Sequence, residues 1–121
     1  MQIIAQIFIA LVAAEHLAIL YIEMFAWETT GKKVFKTLPP ELFKPTRSLA
    51  ANQGLYNGFL AAGLLWSLFI PDPAWQQRIA LFFLGCVIVA GIYGALSASK
   101  KIFFIQALPA LLGFLLVYLS R

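Results

Sequence analysis

Four long apolar runs, at residues 3–27, 49–70, 79–98 and 102–119, constrain this chain more than any motif in it. Each approaches the roughly 20 residues that a helix needs to cross a bilayer. Of the 121 residues, 62% are hydrophobic and only 12% charged, and the mean hydropathy is +0.87. A soluble domain of this size still exposes about a third of the surface of its unfolded chain, so this much Leu, Phe, Ile and Ala calls for lipid as a second solvent. The predicted fold is therefore all-α: one domain over residues 1–121, an integral membrane, up-and-down four-helix bundle with four transmembrane helices. The first run has no basic start, is too long for the apolar core of a signal peptide, and contains Glu15, His16 and Glu23, so it reads as a retained helix.

The basic residues orient the bundle. The connection 28–48 holds Lys32, Lys33, Lys36, Lys44 and Arg47, and the turn between the last two runs holds Lys100 and Lys101. An up-and-down chain puts these seven on one side, against Arg78 and Arg121 on the other, and the positive-inside rule makes the seven cytoplasmic. Both termini are then non-cytoplasmic. The net charge of +4 is a topology signal, and with no soluble domain no nucleic-acid partner is expected. Pro39, Pro40 and Pro45 interrupt any continuous helix in the cytoplasmic connection, while Phe35, Leu38, Leu42 and Phe43 suit either an interfacial segment or a solvated linker. Trp27, Trp75 and Tyr118 fall near run ends, where interfacial anchors belong.

Gly54, Gly58 and Ala61 form one small-residue strip, and Gly91, Gly94, Ala95 and Ala98 a second; both permit close backbone approach, inside one bundle or across a homodimer seam. Cys86 is the single cysteine and reads as a small packing residue. With one histidine and one cysteine, no metal site and no cofactor is expected.

Ionisable groups at bilayer depth are costly unless paired or hydrated, which makes them the sharpest functional signal here. At ~100° per residue, His16 and Glu23 lie within about 20° of one another, with Trp27 close to the same stripe, but they are separated by roughly 10 Å along the axis. Any relay between them needs a third group or water. Glu15 points about 80–100° away, towards a helix contact or a second copy. In the second run Gln53, Tyr56 and Asn57 share a face, with Asn52 beside it. Tyr93 lies near the cytoplasmic end of the third run and Gln106 near that of the fourth, where Pro109 frees a carbonyl near Ile105. His16, Glu23, Trp27, Asn52, Gln53, Tyr56, Asn57, Tyr93 and Gln106 thus all fall in the cytoplasmic half, and together they outline a cytoplasm-facing polar pocket that binds or transports a small amphipathic or aromatic molecule. Two other readings stand beside it: a membrane enzyme using Glu23 or His16 as acid or base on a lipid-soluble substrate, and an accessory subunit whose polar groups only fix helix geometry.

The stretch Asn52-Gln53-Gly54-Leu55-Tyr56-Asn57-Gly58, with Trp27, Val34-Phe35, His16, Glu23-Met24-Phe25, Gln106 and Pro109 around it, resembles a bacterial membrane family known as domain-of-unknown-function family 1304. The resemblance covers essentially the whole chain. It implies a small four-span protein of the bacterial inner (plasma) membrane, and implies no activity.

Overall fold

The computed structural model describes residues 1–120; Arg121, counted above among the basic residues, lies outside the described residues. Four long helical segments dominate it: α1 (Ile3–Phe25), α3 (Arg47–Leu68), α4 (Pro73–Ser97), and a last segment in which α5 (Lys100–Ile102), a π-helical turn (Phe103–Ala107) and α6 (Leu108–Leu119) run on continuously. A short α2 (Thr30–Val34) and a 3₁₀ turn (Pro40–Leu42) lie in the connection after α1. The fold is all-α, with no strand among the described residues.

Side-chain contacts give the direction of each neighbour. Gly54 faces Met24 and Glu23 while Gly58 faces Leu20, so α3 runs antiparallel to α1. Gly63 meets Phe83, Gly91 meets Ala107, and Gly113 meets Phe8. α1 therefore packs between α3 and α6, and α4 packs between the same two helices on the opposite side, closing a four-membered ring. The up-and-down order puts the connection 28–48 and the turn at Ser99 at one end of this ring. All seven clustered basic residues are at that end, and Arg78 is at the other.

α1, α4 and the segment Lys100–Leu119 are each long and apolar enough to cross a membrane. α3 matches them at 22 residues but carries Arg47, Asn52, Gln53 and Asn57 in its first half, which lowers its hydropathy. The ring is apolar outside as well as in: Phe69, Phe82, Val89 and Leu96 are all exposed. The inner core is apolar only towards the end away from the basic loops, where Ile9, Val12, Leu64, Leu84, Val87 and Val117 are fully enclosed. At that end Gln77 donates to the Val117 carbonyl at 3.0 Å, satisfying a terminal carbonyl of α6. Asp72 accepts from the Trp75 amide at 2.9 Å and caps α4, with Pro73 in the first turn.

Both small-residue strips are used within the chain. A Cβ at Gly54 would come 2.8 Å from Met24 Cγ, and one at Gly91 would come 2.7 Å from the Ala107 nitrogen and 2.9 Å from its Cα. The first neighbour is a flexible side chain. The second is backbone and has nowhere to go, so Gly91 is the position where close approach is obligatory. Gly91→Ala should destabilise the protein by about 1–3 kcal/mol, as overpacking against fixed backbone does. Gly85→Ala, where a Cβ meets nothing within 4 Å, should be nearly silent in the same thermal-unfolding measurement in detergent.

Candidate functional site

The polar residues near the basic end of the ring form two clusters, each joining α1 to a different neighbour. Glu23 sits two residues from the end of α1, about 3 Å along the axis, and is 2% exposed. Its Oε1 accepts from the Asn57 side-chain amide at 2.7 Å and its Oε2 from that of Gln53 at 3.0 Å. Asn57 also donates to the Gln53 carbonyl at 3.2 Å, one helical turn back. The spacing of Gln53 and Asn57 makes this possible, since side chains four apart on a helix lie one above the other and can reach both oxygens of one carboxyl group. Gly54, on the same face of α3, brings the two backbones close enough for these bonds.

His16 lies nine residues from the end of α1, about 13 Å along the axis, and is fully buried. Its Nδ1 is 2.8 Å from the Val12 carbonyl and its Nε2 is 3.0 Å from the Gln106 amide nitrogen. A carbonyl can only accept, so Nδ1 donates to Val12, and Nε2 faces the Gln106 amide. Gln106 owes its position to the π turn. Pro109 has no amide to offer the Ile105 carbonyl, and the chain upstream widens so that the Leu108 amide bonds to the Phe103 carbonyl five residues back. That wider turn shifts the side-chain register, while Gly91 lets Ala107 press against α4 and holds the turn in place.

Five of the nine residues expected to form one pocket thus pair off as Glu23 with Gln53 and Asn57, and His16 with Gln106. His16 and Glu23 share a face of α1 as their spacing predicts, but no described side chain bridges them. Asn52, Tyr56 and Tyr93 are on the outer surface, with Tyr56 63% and Tyr93 71% exposed. Asn52 and Tyr93 lie only about 7 and 6 Å from their helix ends, a depth where headgroups and water can satisfy them. Glu15 is half-buried on the flank of α1, one of its oxygens buried with no hydrogen-bond partner among the described residues.

Trp27 belongs to a third arrangement that sequence reasoning anticipated only in part. Its ring packs on Phe43 at 4.8 Å and Phe35 at 5.3 Å, and its Nε1 donates to Thr46 Oγ1 at 3.0 Å. Phe43 is 1% exposed, so the connection after α1 folds back over Trp27 as a small apolar cluster of its own. Gly31 fits against it, since a Cβ there would be 3.1 Å from the indole. Beside this cluster, between the end of α1 and the start of α3, is an open cavity of about 820 Å³. Phe25, Trp27, Lys44, Arg47 and Ser48 line it, and Trp27 alone of the nine expected residues does so.

The arrangement defines a class: an all-α chain with three membrane-length apolar helices, two polar clusters between helices, and a mixed aromatic and basic cavity at one end. A family model described as "Protein of unknown function (DUF1304)" matches residues 10–118. The chain belongs to that family. It is similar to "Uncharacterized protein YpaA" of Lactococcus lactis subsp. lactis (strain IL1403), with 35% identity over 115 residues that cover 93% of this chain and 95% of the relative. No solved structure matches it.

Double-mutant cycles should give coupling energies of about 0.6 kcal/mol, and no more than about 1.7 kcal/mol, for Glu23 with Asn57 and for His16 with Gln106, the average and the maximum found for hydrogen bonds between membrane helices. His16 with Glu23 should be additive to within about 0.3–0.5 kcal/mol, because the two share no partner. Reversible unfolding in detergent micelles reads all three.

Proposed function

We propose that this is a four-span protein of the bacterial plasma membrane, with both termini outside and the basic end facing the cytoplasm, that binds or transports a small amphipathic or aromatic molecule at that end. The observation that carries the reading is the cavity of about 820 Å³ between the end of α1 and the start of α3, large enough for a small organic ligand. Its Phe25 and Trp27 walls suit an apolar or aromatic body, and its polar residues suit a polar end. α3 makes the fourth span: its length suffices, and its polar residues at membrane depth face α1 or lie near the helix end.

In this reading the two polar clusters serve the cavity from behind. Glu23, with both oxygens already accepting amide hydrogen bonds, fixes α1 against α3 immediately below the cavity, and His16 with Gln106 fixes α1 against α6 deeper in the bundle.

Native mass spectrometry of the purified protein in mild detergent tests the proposal. A specific small-molecule adduct should be present in the wild type, retained in His16→Ala and lost in Trp27→Ala; absence of any adduct in the wild type overturns the reading. Orientation is checked separately in a Cys86→Ala background. A membrane-impermeant maleimide should label Arg78→Cys in intact cells, and Lys44→Cys only after the membrane is permeabilised; the reverse pattern inverts the topology.

A further inference from the structure

We infer that the cavity between α1 and α3 selects an amphiphile with an anionic headgroup, phosphate or carboxylate, bound by Lys44 and Arg47 with its chain against Phe25. The inference rests on the ligand-binding reading above and names the chemical class of that ligand.

Of the three charged side chains lining the cavity, two are cations, Lys44 and Arg47, and one is an anion, Glu28. Arg47 and Glu28 make one ion pair at 3.5 Å, at the long end of the range, and the Arg47 side chain is 73% exposed. A pair so solvated adds little stability and gives way readily to a better anion. The Lys44 side chain makes no hydrogen bond or ion pair among the described residues. A guanidinium can grip phosphate or carboxylate through two parallel N–H bonds, and the lysine adds a point charge beside it.

The two helix ends that meet at the cavity carry opposite fields, and the two cations lie beside the positive one. At the end of α1 the Ala26 carbonyl is occupied by the Gly31 amide at 2.8 Å and the Thr29 amide and hydroxyl at 3.3 Å, which reduces the negative field there. At the start of α3 the N-cap residue is Thr46, whose hydroxyl would ordinarily accept from a first-turn amide. Here that hydroxyl is diverted: it accepts from Trp27 and donates to the Leu42 carbonyl at 2.7 Å. The first turn of α3 has no side-chain cap, and its positive end lies beside Lys44 and Arg47.

The apolar part of the ligand is argued from Phe25. It lines the cavity and is also 71% exposed on the outer surface of α1, so one ring belongs both to the site and to the apolar exterior. An alkyl chain laid across it remains in apolar surroundings while its headgroup lies over the basic residues. Trp27, held by Thr46 and Phe43, is rigid and reports on occupancy.

The test uses the full chain in phosphatidylcholine nanodiscs with Trp66→Phe and Trp75→Phe, so that Trp27 is the single indole. Its fluorescence is followed during titration with dodecyl phosphate, dodecyltrimethylammonium or inorganic phosphate. Dodecyl phosphate should give a saturable response, with affinity about tenfold or more lower for the cationic amphiphile and for the Lys44→Gln/Arg47→Gln variant. Glu28→Gln removes the competing carboxylate and should tighten binding, a gain that misfolding cannot produce. Equal affinity for the two amphiphiles, or indifference to the charge variants, overturns the headgroup assignment and leaves the cavity reading standing. Inorganic phosphate binding as well as dodecyl phosphate makes the ligand a free anion and overturns its amphiphilic part. No saturable response to either amphiphile removes the cavity reading and the inference with it.

Discussion

A carboxyl group set between two apolar helices has to find its hydrogen bonds in the protein, and the way Glu23 does so organises this end of the molecule. Its two acceptors are met by two amides one turn apart on α3. Those amides reach it only because Gly54 and Gly58 let the backbones of α1 and α3 come close. With α1 and α3 locked there, the chain leaving α1 must fold back within a few residues of the lock, and it does so over Trp27. The cavity is the space left beside that fold, bounded by the two helix ends and the returning loop.

The second cluster follows the same logic with a different device. His16 is too deep for water to serve it, and α6 can supply Gln106 only if that helix is re-registered near Pro109. A π turn accomplishes this, and Gly91 makes room for it against α4. The proline, the glycine, the glutamine and the histidine stand on three segments far apart in sequence yet serve one hydrogen bond. The result is a bundle divided along its length, with close apolar packing at one end and polar locks at the other.

Much of this was legible beforehand. Four apolar runs announced four helices, and the structure extends the later three towards their amino ends by two to six residues, to Arg47, Pro73 and Lys100. The extensions are helical turns built from polar or capping residues, which an apolar count omits: Asp72 with Pro73, and Ser99 before Lys100. The glycine strips marked the close contacts, although whether they faced inside the chain or a second copy was open until the neighbours were known. His16 and Glu23 on one stripe suggested one site. The structure places them in two separate hydrogen-bond clusters, because a buried helix stripe can look onto two neighbouring helices at different depths. Phe43, Thr46, Lys44 and Arg47 lay in a segment whose prolines hid any periodicity, so its folding onto Trp27 could not be read.

The sequence by itself determined the class of secondary structure, the apolar exterior and the separation of basic from nonbasic ends, since these depend on composition and on spacing along one helix. Only the tertiary structure decided which amide meets which acid, where the π turn falls and where the cavity opens. Those depend on contacts between segments distant in the chain, and hydrogen-bond partners at a few ångströms are set by backbone approach that no single helix specifies.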